Sequence, residues 1–408
     1  MTNRVGRKIY RTNAGNRKRK VQKFFKTLLA VIIIGLLVFV GYSVARPIYE
    51  YITDRDTSVA EDPKPWTPPA AEAKNDDAEG DSLISDDGED ADTDGSTDPS
   101  EKEVRFSAYT LPVSALKNTD TLTAALNSAK ESGYTAVIAT LKDKGGKIYY
   151  QTDSEMAQSD EAAIVGEMYA VQICDIIKAA GFIPIAKINL LEDNNRYGEN
   201  RDGSYHFAGE TSTWLDNNVA SGGKPWLSPF DTNTQSYAAY LANEISSSGY
   251  EYIIFDGVAF PPFRNSDLNI IGDIVKSADR YKALVNISNI ATGAAEQNGA
   301  SAITMLPAAG ILDGTAEAFK PAELTAKTIA ISYMPSELAK TAVIGSEEVA
   351  LSELSAYDRA YTVFYEIKRL AEGVTIVPVV RQADYSQADF SDTISAFMSL
   401  GFDSYIIM

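Results

Sequence analysis

From residue 104 onward, short runs of β-branched and aromatic residues alternate with longer stretches whose apolar positions recur every three or four residues. The runs VRFSAYT (104–110), TAVIATL (135–141), FIPIAKI (182–188), YEYIIFD (250–256), KALVNIS (282–288), ASAITML (300–306), TIAISYM (328–334), VTIVPVV (374–380) and DSYIIM (403–408) predict strands. The spacing between them predicts helices over 119–132, 157–180, 233–248, 267–278, 355–372 and 387–400. Four helix-to-strand joints share one signal, in AKESGYTAVIA, IKAAGFIPIA, ISSSGYEYII and MSLGFDSYII. In each, Gly closes the helix in a left-handed conformation and an aromatic residue opens the next buried strand.

Strand–helix alternation of this length implies a parallel sheet with helices outside it. No G-x-G-x-x-G follows the first strand and no Walker lysine loop occurs, which removes the nucleotide folds. The size fits a (β/α)8 TIM-like barrel, typically about 250 residues before insertions. Nine strand candidates are one too many, so either 300–306 or 328–334 is expected to be an insertion.

The preceding hundred residues follow a different pattern. Residues 27–45, TLLAVIIIGLLVFVGYSVA, run without a charge between Lys26 and Arg46. At ~1.5 Å per residue they reach about 28 Å, the thickness of a hydrocarbon core, and predict a single transmembrane helix. A secretory signal peptide is the rival reading, but its apolar region is usually only about 7–15 residues. Residues 1–26 carry ten Lys/Arg and no acid. That excess orients the N-terminus to the cytoplasm and places the remainder outside the cell membrane. A tail so placed touches anionic lipid rather than nucleic acid. Residues 46–103 form an acidic linker rich in Pro, Asp and Ser, with too few large apolar side chains to offset the entropy of ordering. The domains expected are thus a basic tail (1–26), a membrane helix (27–45), a linker (46–103) and a barrel (104–408).

Scarce chemistry narrows the function. One cysteine, Cys174, excludes an internal disulfide framework and sits in an apolar helical pattern as a core residue. The single histidine, His206, excludes a multi-His zinc site. No cofactor is expected. In a barrel, chemistry belongs at the C-terminal strand ends. Polar residues there are Lys142 and Asp143 after the second strand, and Lys187, Glu192 and Asp193 in and after the third. Asp256 ends the fourth, and Arg381, Gln382 and Asp384 follow the late strand 374–380. A lysine within a strand needs a carboxylate partner, and Asp143 or Asp256 can supply one to Lys187. The long loop 189–229 adds Trp214, Trp226, Tyr197 and Tyr205, suited to sugar stacking, the alternative for Trp226 being burial against the following helix.

Four ordered segments, VIATLKDKGGKIYY, AKINLLED, WLDNNVASGGKPWLSPF and FDGVAFP, resemble motifs of a bacterial family of glycoside-hydrolase-like (β/α)8 domains. The corresponding family patterns are V-I-D-x-K-x-x-x-G-x-[IV]-x-Y, A-R-I-x-x-F-x-D, W-x-D-x-x-G-x-x-W-[VL]-x-P-Y and F-D-Y-I-R-F-P. The late RQADY is similar to a Q-D-F-like segment. The chain departs from the patterns at Thr140 (family Asp), Lys187 (Arg), Gly257 (Tyr), Ala259 (Arg) and Arg381 (aromatic). The resemblance implies an extracellular hydrolase acting on cell-wall or surface polysaccharide. Asp256 is its acid in register, with Asp143, Asp193 or Asp384 as the second carboxyl. Lys142, Lys187, Trp214, Trp226, Arg381 and Gln382 are implied substrate contacts. The departures support a second reading, a barrel that binds glycan or a partner protein without cleaving it.

Overall fold

The computed structural model describes residues 105–159, 163–196, 202–271, 275 and 280–408. The chain divides into two units, Met1–Glu103 and Val104–Met408. The basic tail, the expected membrane helix 27–45, the linker and Tyr197 lie outside the described residues. Among the described residues no helix is long and apolar enough to cross a membrane.

Eight parallel strands close into a barrel: β1 (Ser107–Thr110), β2 (Ala136–Lys142), β3 (Ile183–Asn189), β4 (Tyr252–Asp256), β5 (Ser301–Pro307), β6 (Thr328–Tyr333), β7 (Thr375–Val380) and β8 (Tyr405–Ile407). β8 closes on β1 with Ser107 opposite Tyr405. Period-two alternation sends one set of side chains inward and the other outward. Ala136, Ile138, Ile185, Ile254, Ile303, Ala330, Val377 and Ile406 fill the lumen. Val137, Ala139, Ile253, Phe255, Ile329 and Ile331 pack outward against the helices. Burial on both faces is why these strands read as continuous apolar runs.

The principal helices are α1 (Thr119–Glu131), α2 (Ala170–Ala179), α3 (Thr232–Ser247), α4 (Arg280–Glu296), α5 (Ala356–Leu370) and α6 (Gln387–Ser399). Phe364 of α5 and Phe397 of α6 meet edge to face with ring centroids 4.6 Å apart, sealing the late part of the barrel wall.

Three sequence expectations are corrected. KALVNIS is not a strand but the first turns of α4. Its Leu284, Ile287 and Ser288 continue to Ala291 and Ala295 as one buried helical stripe. Both suspected insertions, 300–306 and 328–334, are barrel strands, separated by only a short helix, Ala308–Leu312. Among the described residues, the expected helix 157–180 is represented by two pieces, Glu155–Gln158 and α2. Between them Ile164 and Tyr169 make isolated bridges to Ile148 and Gln151. Of 267–278, only the start lies in a helix whose bounds are fully described, Asn265–Ile270. A small hairpin, Ala342–Ile344 with Glu347–Val349, rises after β6.

Candidate active site

β3 and β4 end side by side, with Asn189 in register opposite Asp256. Two residues above the lumen-facing Ile185 and Ile254 come Lys187 and Asp256, so alternation delivers a cation and an anion to the mouth of the barrel. Lys187 Nζ stands 3.9 Å from Asp256 Oδ2, and the two side chains are 16% and 36% exposed. The other carboxylate oxygen, Oδ1, accepts the Gly257 N–H at 2.7 Å. Gly257 adopts φ +67°, which turns the chain sharply away from the strand.

Glu192 completes the group. Its N–H donates to Asn189 Oδ1 at 2.9 Å, and its backbone bridges that of Trp226. Burial lifts the Glu192 carboxyl above the ordinary carboxylate range, and the nearby charge of Asp256 lifts it further. Lys144, Lys224 and Lys142 pull it the other way. The charge of Asp256 is thus felt at the Glu192 carboxyl.

The neighbouring acid in sequence behaves quite differently. Asp193 is 1% exposed and lies 3.2 Å from Lys142 Nζ, with Arg196 Nε at 3.9 Å. Lys142, equally buried, also donates to the carbonyls of Asn189 (2.9 Å) and Glu192 (3.4 Å). Expected to meet substrate, Lys142 instead lies beneath the rim and joins the ends of β2 and β3. The pairing between those strands slips between Thr140 and Lys142.

The other candidates are spread around the rim. Asp143 Oδ1 accepts the N–H groups of Gly145 and Lys147 at 2.8 and 3.0 Å, and Oδ2 accepts the Tyr149 hydroxyl at 2.8 Å. Its oxygens fold their own loop. Tyr149 is pushed up to about 12, by burial first and by Asp143 second. Asp384 Oδ2 accepts Arg381 Nε at 2.8 Å within one short turn, where Gln382 N–H donates to Met408 O. Trp214 is 2% exposed and packs on Tyr205 and Phe263, with centroids 6.0 and 5.0 Å away. It is the centre of a loop core, so its ring faces are covered. Trp226 is half-buried and donates Nε1–H to Asp216 Oδ2 at 3.2 Å. It is the tryptophan that stays beside Glu192. His206 is half-buried and its backbone bridges Thr213. Among the described residues no group of His, Cys, Asp and Glu is arranged to hold a metal ion.

Sequence reasoning placed Glu192 on the rim without pairing it to Asp256, and it overlooked Asn189. The available signal was a polar residue ending a strand whose only other polar residue is Lys187, three residues before an acid.

Residues 108–300, which span β1 to the end of α4 and contain every group just described at β2, β3 and β4, match the family described as "Putative glycosyl hydrolase domain". The match spans less than half of the chain, and the segment resembles that family while departing from its patterns at Thr140, Lys187, Gly257 and Ala259. No curated protein sequence matches the chain. Among solved structures, the chain is similar to the PgaB (BpsB) glycoside hydrolase domain from Bordetella bronchiseptica at 11% identity. The match covers 75% of this chain and 94% of that one, with a TM-score of 0.51. It is also similar to the catalytic domain of β-amylase from Paenibacillus polymyxa, at 10% identity, 74% and 92% coverage and a TM-score of 0.45. At 11% identity the likeness to the Bordetella domain is one of fold.

Proposed function

We propose that this protein is a membrane-anchored glycoside hydrolase whose barrel acts on cell-wall or surface polysaccharide outside the cell. The observation that carries the reading is the Glu192–Asp256 pair: two carboxyls at one barrel mouth in unlike surroundings. Glycosidases use such a pair with divided roles, one carboxyl protonated and the other ionised. Glu192, raised by burial, is the general acid that protonates the leaving glycosidic oxygen. Asp256, facing the Lys187 ammonium, is the carboxylate that attacks the anomeric carbon or activates a water. Trp226 offers an aromatic surface next to the acid. The uncharged stretch 27–45, preceded by ten cations, supports the anchor and an extracellular barrel.

The test is incubation of the detergent-solubilised full chain with purified wall polysaccharides, reading new reducing ends. Wild type should release them, and Glu192→Gln and Asp256→Asn should each lose most of that release. Equal release by wild type and Asp256→Asn removes the carboxylate role.

A second reading, glycan binding without cleavage, is favoured by one observation. Ala259, where the family pattern has Arg, follows Asp256 by three residues, is exposed and offers no polar group. Retention of a polysaccharide by wild type without any release would select this reading.

A further inference from the structure

Asn189 occupies an unusual junction. It ends β3, is 4% exposed, and lies directly opposite Asp256 in the strand ladder. Its carbonyl accepts the Lys142 ammonium at 2.9 Å, fixing it to β2. Its side-chain Oδ1 accepts the Glu192 N–H at 2.9 Å, fixing the turn that carries the acid. The next residue, Leu190, donates its N–H to Asp256 O at 2.8 Å, fixing β4.

The Asn189 side chain also explains a departure in the sequence. A Cβ at position 257 would fall inside the van der Waals envelope of the Asn189 amide group, and Gly257 has φ +67° besides. Position 257 is thus the place where the Asn189 side chain is accommodated. The space a side chain at 257 would need is taken by the Asn189 amide.

We propose that Asn189 is a positioning residue that sets the Glu192 carboxyl against Asp256, and that Gly257 is the vacancy its side chain requires. This rests on the reading of Glu192 and Asp256 as the working pair. Asn189 touches no substrate. It acts through the Glu192 turn, where a small displacement of an acid from its target is costly to rate.

The closing experiment follows the titration of the Glu192 carboxyl carbon by NMR in the isotope-labelled full chain, with Glu192→Gln identifying the signal. Asn189→Ala frees the turn, and the Glu192 midpoint should move down toward that of an exposed carboxyl. Asn189→Asp keeps the acceptor oxygen and the shape but adds a negative charge, and should move the midpoint up. Gly257→Ala displaces the Asn189 amide and should move it down. Combining Gly257→Ala with Asn189→Ala should move it no further than Asn189→Ala alone.

An unmoved midpoint in folded Asn189→Ala overturns the proposal, as does full additivity of the two alanine changes. If Asn189→Ala fails to fold, Asn189→Asp and Gly257→Ala decide: opposite shifts support the proposal and shifts in one direction overturn it. On a cleaved polysaccharide, Asn189→Ala should lower kcat about 100-fold with KM within about twofold. If wild type cleaves nothing, the hydrolase reading fails alone, because the titrations still report whether Asn189 sets the pair.

Discussion

Replacing Lys142 by Met tests how the rim is held. The Lys142–Asp193 pair is 3.2 Å long with both side chains 1% exposed, so neither charge has water to fall back on. Removing one member of such a pair costs about 3–5 kcal/mol, because the remaining ion stays buried. Arg196, 3.9 Å from the same carboxylate, leaves Asp193 one counter-charge and argues for the lower end. The carbonyls of Asn189 and Glu192 lose a charged donor in the same change, which argues against a much smaller figure. A loss of about 3 kcal/mol lowers the melting temperature of a domain this size by about 5 °C. Guanidinium unfolding of the full chain, followed by tryptophan fluorescence, measures it as a shift in midpoint at constant slope. Lys142→Met combined with Asp193→Leu should regain little of the loss, because Arg196, itself 1% exposed, then loses its own carboxylate and stays buried as the uncompensated charge. A cost under about 1 kcal/mol, the range of an exposed ion pair, would refute the buried-joint account.

The Glu192 proton gives stability and activity a common pH signature. Because burial and Asp256 raise this carboxyl, the folded chain keeps its proton where the unfolded chain has lost it. The contribution to stability is therefore full at low pH and declines as pH rises from the ordinary carboxylate range through the raised value. Glu192→Gln should remove that slope from the stability–pH curve, and polysaccharide release should fall over the same alkaline-going limb. Trp214→Ala should cost about 3–5 kcal/mol by opening the loop core, read by denaturation. Trp226→Ala should cost less stability and more glycan retention. Cys174, buried with its thiol pushed up to about 11 chiefly by burial, should resist a thiol reagent until the domain unfolds.

Much of this architecture was legible in the sequence, for identifiable reasons. Barrel strands are buried on both faces, so each appears as a dense apolar run, and the Gly–aromatic joints mark where α1, α2, α3 and α6 hand over to the next strand. KALVNIS misled because Leu284, Val285 and Ile287 have strand-like composition, while their true period emerges only when Ala291 and Ala295 are read with them. The short Ala308–Leu312 helix compounded the error, since β5 and β6 then lacked the long helix that usually separates barrel strands. At the site, alternation along β3 and β4 was enough to aim Lys187 and Asp256 together. The choice between Glu192 and Asp193 was not legible. It depends on a turn in which one acid faces the mouth and its neighbour is drawn under it by Lys142 and Arg196. Asp143 and Asp384 had the right composition and position. Their oxygens are taken by local donors, Tyr149 and two backbone amides in one case and Arg381 in the other.

The cross-ties described at the rim are unevenly distributed. Loops after β2, β3 and β4 are stitched to one another: Lys142 to the Asn189 and Glu192 carbonyls, Gly145 O to Asn194 N–H, Arg264 to Asn217. After β7, the ties run instead to β6 and to the end of β8, through Tyr385 to the Tyr333 carbonyl and Gln382 to Met408. One side of the mouth is therefore held loop to loop, and the other is held loop to strand. On the proposed reading, exchanges in the segments after β6 and β7 would leave the ties among the β2, β3 and β4 loops, and with them Glu192 and Asp256, in place.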